Sequence, residues 1–299
     1  MIKVFSQIDE SNAKWQIPNQ FLYYQPGYLQ LQQHKVLQAF ENDHFSIPFN
    51  LHNDKAISID RSPFGSFLRK QEGQLDSYLE FNNEITQYLK AKIKSMIIHH
   101  PSPIYADFID CNWLTKVGYS IRYNDINQHI VLDPHWQSKI HNMQSRKLKA
   151  LKASGFQFRH LLSNDIGKVH QFLKVCRQAQ GLQINIELPK LKALVAAFPQ
   201  SYDLFGIFRD EKMSAACIAV KVNSKIAYYY LAGTSPLFRT QSPMVLLIAG
   251  MTEHYTKLGF EFFDLGISSQ QGQPQETLRI FKQRMGAVES TRPTFTRAI

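Results

Sequence analysis

The chain has 299 residues, 44% of them hydrophobic, and a formal charge of +10. That length and apolar share allow one large or two smaller units with full cores, and no apolar run reaches membrane-spanning length. The three cysteines, Cys111, Cys176 and Cys217, are odd in number and widely spaced, which excludes a disulfide framework and a thiolate metal cluster. They read as small buried hydrophobes in a reducing, cytoplasmic compartment. The N-terminal text MIKVFSQIDE lacks a charged segment followed by a long apolar one, so no leader is expected. The basic balance suits an anionic partner and does not choose among them.

In chain order, Met1 to Phe5 reads as an edge strand, and Pro26-Gly27 marks a turn in an aromatic, glutamine-rich stretch. From Val36, VLQAF and HFSIPFNL around END read as a hairpin, with Pro48 restricting the second strand to an edge or a bulge. Ala56 to Asp60 is a short strand that leads into a Ser-Pro loop, Arg61 to Phe67. A helix follows over about 74–92, where Leu75, Tyr78, Leu79, Ile85, Tyr88 and Leu89 keep helical spacing. Lys94 to His100 is a buried strand, Tyr105 to Leu114 a short helix and Gly118 to Tyr123 a strand.

A second unit starts near Asn127. Ile130 to Asp133 is a strand, Asp133 caps a helix running to Gly155, and Trp136, Ile140, Met143 and Leu151 mark its apolar side. A strand at FQFRHL, a helix over 165–177, a loop over 178–187 and a helix over 188–198 follow. YDLFGIFRD is a strand, and SAACIAVKV and KIAYYYLAG around Asn223-Ser224 form a hairpin. Ser242 caps the next helix, with Pro243 at its first position and Gly259 just past its end. Phe260 to Gly266 is a strand, and a last helix spans about 274–285. The two halves repeat one order: strands, a Ser-Pro loop, helix, strand, helix, strand.

The residues from Tyr228 to Ala287 resemble the C-terminal part of GNAT-superfamily acyltransferases of the tandem, Fem-type kind. The likeness is carried by Ala232-Gly233-Thr234, Arg239, Ser242-Pro243, Gly259-Phe260, Phe263-Asp264-Leu265-Gly266, Phe281-Lys282 and Gly286. RKLKALKASG, from Arg146, resembles the basic helix that leads the second domain of such enzymes, and Ser62-Pro63-Phe64-Gly65 resembles a turn of their first. The resemblance implies an α/β (α+β) protein of two tandem GNAT-like domains, 1–127 and 128–299, each a mixed sheet flanked by helices. It further implies an N-acyltransferase acting on a small-molecule or peptide amine. Acyl-CoA is the implied co-substrate and aminoacyl-tRNA the alternative donor, with no permanently bound cofactor, no DNA partner and no metal. The turn from Arg239 to Met244 lacks the glycines usual in that family, which favours a rival reading: a non-catalytic binding protein on a degenerate GNAT fold.

Acyl transfer to an amine needs a held donor, a deprotonated amine and a stabilised oxyanion. GNAT enzymes hold the donor's arm on the backbone of two splayed strands, so few side chains are obligatory. The resemblance places Lys282 at the reacting carbonyl or a donor phosphate, against the plainer reading of an exposed helix lysine. Asp264 is a base or amine-orienting group, or else a cap for the following loop. Arg239, Gln241, Ser242 and Met244 surround the expected donor site at a helix N-terminus. Tyr228 and Tyr230 share a strand face and line the site or the core, and Gln183, Asn185 and Glu187 are expected to select the acceptor. His254 receives no role.

Overall fold

The structure, a computed structural model, describes residues 2–6, 21–32, 37–59 and 62–299. Val36, Asp60 and Arg61, which open or close the expected elements of the first half, lie outside the described residues. The chain forms two compact units: Met1–Ile126 with Ser269–Pro274 and Ser290–Ile299, and Asn127–Ser268 with Gln275–Glu289. The expected single boundary at 127/128 is thus replaced by an interleaved division. Among the described residues no helix is long and apolar enough to cross a membrane.

The first unit contains β1 (Lys3–Ser6), α1 (Pro26–Leu31), β2 (Leu37–Glu41), β3 (Phe45–His52), β4 (Lys55–Ser58), β5 (Leu68–Arg69), α2 (Leu75–Leu89), β6 (Ser95–His99) and α3 (Cys111–Lys116). β7 (Ser120–Val131) starts in it and ends in the second unit. The second unit continues with α4 (Asn142–Ala153), β8 (Gln157–Leu161), α5 (Ile166–Gln178), α6 (Leu188–Ala197), β9 (Tyr202–Arg209), β10 (Lys212–Lys221), β11 (Ile226–Thr234), α7 (Met244–Lys257) and β12 (Phe262–Ile267). A small ribbon of β13 (Ser269–Gln270) and β14 (Gln273–Pro274), then α8 (Glu276–Arg284) and β15 (Val288–Ala298), complete the chain.

The repeat of elements is a repeat of topology. In the first unit the strand order is β1-β2-β3-β4-β6-β15, and in the second β8-β9-β10-β11-β12-β7. Each is antiparallel except at one place, β4 with β6 and β11 with β12. Parallel neighbours need a long crossover, and α2 and α7 supply it. The closing antiparallel strands are exchanged: residues 294–298 of β15 pair β6, and the end of β7 pairs β12.

Three local expectations change. Pro48 sits inside the first unit's sheet, opposite Ala39 of β2. Its missing donor is tolerated because on its other side the pairing with β5 ends at Ser46 and that with β4 starts at Phe49. The short helix begins at Cys111, because Phe108 bridges Leu68 and the Ile109 N–H donates to Phe67, while Asp110 caps the helix at the Asn112 N–H. The helix after Asp133 is broken into a 3-10 turn, Trp136–Lys139, and α4; the His141 N–H donates to the Arg284 carbonyl and its ring caps the Met143 N–H.

The first core is aromatic: Phe45, Phe49, Phe67, Tyr78 and Phe81 pack largely edge to face between sheet and α2. In the second unit Phe205, Ile207, Cys217 and Ala219 of the sheet meet Val245, Leu247, Met251 and Tyr255 of α7. α5 packs on β10 and β11, and Gly233 permits the approach, since a Cβ there would lie 2.8 Å from that of Cys176.

Candidate active site

The second unit opens where β11 and β12 part. They pair only at Ile226–Phe262, Ala227–Phe263 and Tyr228–Asp264, although β11 runs on to Thr234. Both strands carry an irregularity just past that point. On β11, Leu231 faces Ile218 and Tyr229 faces Ala219, so Tyr230 is an extra residue without a partner on β10. On β12, Asp264 faces His129 and Ile267 faces Asn127, which inserts one residue around Leu265-Gly266. Bulges twist and bend the strand that holds them, and two on adjacent strands drive the pair apart.

The β12 bulge has its own supports. Gly266 takes φ +72°, a conformation that favours glycine. Asp264 Oδ1 accepts the Gly266 N–H at 2.8 Å and the Asn127 side-chain amide at 2.9 Å. Lys282 is the buried residue of α8, and its Nζ donates to the carbonyls of Gly266 and Ile267, both at 2.9 Å. These side chains occupy the polar backbone groups that the bulge withdraws from the ladder.

A cavity of about 640 Å³ fills the opening. Tyr228, Tyr229 and Tyr230 line it from β11, Arg239, Ser242, Met244 and Ile248 from the loop and start of α7, Leu265 to Ile267 from β12, and Phe281 and Lys282 from α8. Arg177, Gln180 and Leu182 line it from the end of α5 and the loop beyond. Three cationic side chains and no carboxylate border the space. The Arg177 Nε is buried without a hydrogen-bond partner, and the exposed Arg239 guanidinium forms no ion pair among the described residues. Burial pushes the Tyr230 hydroxyl up to about 12, with Tyr228 adding to the rise and Arg177 opposing it, and burial also holds Tyr229 well above the usual phenol range. Both phenols are therefore neutral donors at ordinary pH.

Several expected positions differ. Ser242 does not cap α7: it is left-handed (φ 58°), Pro243 occupies the cap, and the Ser242 hydroxyl accepts from Lys147 at 3.4 Å. The N–H groups of Met244 and Leu246 accordingly find no acceptor among the described residues. Gln241 is exposed and outside the lining, its amide oxygen taken by Thr240. Gln183, Asn185 and Glu187 are exposed on the α5–α6 loop and also lie outside it; Gln180 and Leu182 of that loop take the place. Asp264 is buried beneath the bulge, off the cavity wall. Tyr228 and Tyr230 line the cavity, and the bulge brings Tyr229 to it as well. On α8 Met285 is fully buried and Phe281 packs against the core, while Leu278 is exposed and Lys282, by pattern an exposed lysine, points inward. Arg177 carried no sequence signal beyond that of a basic residue closing a helix.

The stretch 138–273 matches the acetyltransferase (GNAT) domain family. Its parted parallel strands are the site just described. The match stops before α8, so Lys282 lies beyond it. The whole chain is similar in fold to FemX (11% identity, 94% of this chain and 93% of that one, TM-score 0.67). It is likewise similar to L-PGS from Bacillus licheniformis (12%, 97% and 92%, TM-score 0.63). A tandem GNAT protein from the clavulanic acid biosynthesis pathway aligns at 8% identity over 100% and 98%, with a TM-score of 0.52. No curated protein matches the chain in sequence. The GNAT match over 138–273 and the whole-chain fold shared with FemX and the tandem GNAT protein are the ground for the reading proposed below.

Proposed function

We propose that the cavity at the parted strands receives an acyl donor carried on a phosphate-bearing group, acyl-CoA in the first place, and that the acyl group passes to an amine. The observation that carries this reading is the lining: Arg177, Arg239 and Lys282 with no acidic residue, in a space bordered by the side of β11 that β12 leaves unpaired beyond Tyr228. Such a set suits a polyanionic carrier with an extended arm. The N–H groups of Met244 and Leu246, at the positive end of α7, and the Arg239 guanidinium are suited to phosphate oxygens. β11 beyond Tyr228 offers amide and carbonyl groups to the arm. The donor supplies an activated carbonyl; the chain supplies orientation and a neutral phenolic donor at Tyr230, the Tyr229 hydroxyl being given to Met244 Sδ at 2.8 Å.

Acyl transfer also requires a neutral amine, and Gln180 and Leu182, on the loop after α5, are the lining residues left for the acceptor in this reading. The buried thiols, raised by burial at Cys176 and Cys217, fit a reducing cytoplasmic setting. A second donor, aminoacyl-tRNA, is favoured by the likeness to FemX over nearly the whole chain, first unit included. Calorimetric titration with coenzyme A, acetyl-CoA and aminoacyl-tRNA separates the readings. Heat from the coenzymes supports the first, heat from the tRNA alone supports the second, and binding without turnover on any amine leaves a ligand-binding protein.

A further inference from the structure

Ten residues along α7 from Met244, about 15 Å at helical rise, His254 meets two side chains that the acyl-transfer reading does not use. His160 of β8, Asp203 of β9 and His254 each present one ligand atom, and the three atoms lie within 4.8 Å of one another. We propose that these residues bind a divalent transition-metal ion of the zinc class.

The chemistry of the set is the first argument. Two imidazoles and one carboxylate are the ligands zinc-class ions prefer, and three protein ligands leave one position for water. Ligands about 2.1 Å from a tetrahedral ion stand about 3.4 Å apart, so small side-chain rotations close the site. His160 Nε2 already lies 3.4 Å from Asp203 Oδ1.

The second argument is an unmet group. His254 Nε2 is buried with no hydrogen-bond partner. A buried polar atom of this kind is costly unless something satisfies it. A cation does so while using the lone pair of the neutral ring.

The third argument is orientation. The Phe205 ring stacks on His160 (4.9 Å between centroids, 28°) and takes His254 edge-on (5.2 Å, 70°). Tyr255 donates to Asp203 Oδ2 at 2.9 Å and fixes the carboxylate, leaving Oδ1 turned to His160. Ligands held by outer contacts of this sort bind metal with less reordering. Lys221 Nζ, 3.2 Å from Oδ1, is the competitor. It neutralises Asp203 when no ion is present and moves toward solvent when one enters. The ion would tie β8 and β9 to α7, away from the acyl-donor cavity.

The test uses the full chain without a histidine tag, stripped with chelator and titrated with Co²⁺, whose visible absorption reports its coordination. One Co²⁺ per chain is expected, with tetrahedral bands, displacement by Zn²⁺ and a rise in melting temperature. His160→Gln and His254→Gln should each weaken binding by at least about tenfold. Lys221→Met should tighten it, an effect that mere loss of structure does not produce. His160 is exposed, so its variant keeps the test valid if His254→Gln fails to fold. Absence of Co²⁺ binding, or binding unchanged in both histidine variants, overturns the proposal.

Discussion

Lys282 and Asp264 meet on a single residue: the lysine donates to the Gly266 carbonyl at 2.9 Å, and the aspartate accepts the Gly266 N–H at 2.8 Å. The two side chains that the family resemblance offers for chemistry are thus the supports of the β12 bulge. Without them, the polar groups of Gly266 and Ile267 would seek partners in the ladder, and the opening beside β11 would narrow.

Lys282→Ala should therefore act on binding as well as turnover. It leaves two carbonyls without their donor, at about 1–3 kcal/mol for an unmet buried group. Urea melts should show a loss of about 2–4 kcal/mol, with donor affinity falling in parallel. Intact affinity with turnover cut by about a hundredfold or more would instead place the ammonium at the reacting carbonyl.

Asp264→Asn keeps an oxygen at the Oδ1 position that accepts the Gly266 N–H and the Asn127 amide, and cannot act as a general base. Because Asp264 is buried off the cavity wall, turnover in this variant should stay within a few-fold of wild type, with modest loss of stability. A drop of about 10²–10⁴ in kcat would establish it as the base.

The arginines separate stability from binding. Arg177→Leu removes a buried donor that has no partner, so the ligand-free protein should melt at the same temperature or higher. Donor affinity should fall about tenfold to a hundredfold, as for loss of a charged hydrogen bond. Arg239→Ala should weaken binding with a reduced salt dependence and no change in melting, since the side chain is exposed.

His100 of the first unit gives a pH dependence unrelated to the site. Burial lowers its pKa from 6.5 to about 4, and its Nδ1 faces the Ser66 hydroxyl at 2.9 Å. Between these values the unfolded chain binds the proton and the folded chain does not. Stability is therefore full above pH 6.5 and declines toward pH 4, by about 3 kcal/mol at most. Urea midpoints should follow that slope in the wild type and flatten in His100→Gln.

Much of the fold was legible because it rests on local pattern. The β10–β11 hairpin followed from two apolar runs about Asn223-Ser224, and α7 and its glycine stop from apolar spacing before Gly259. The GNAT resemblance of Tyr228 to Ala287 likewise rests on residues close in sequence. The stretch Asn127-Gln128-His129 was not legible as a buried strand, since its polarity reads as a linker. It becomes one because Asp264 takes the Asn127 side-chain amide and Ser268 donates to the Gln128 side-chain oxygen Oε1, over 130 residues away in each case.

Sequence by itself determined the element order, the duplicated plan and the resemblance to GNAT acyltransferases, all of which depend on periodicity, turn residues and short motifs. Tertiary structure decided which strand closes which unit, because pairing of β15 with β6 is a contact between distant segments that no local pattern encodes. It also decided the roles within the site. A lysine one position from Phe281 belongs by pattern on an exposed face, yet the carbonyls released by a bulge sixteen residues earlier draw it inward. An arginine at the end of α5 joins the cavity through the packing of α5 on β11, against Gly233.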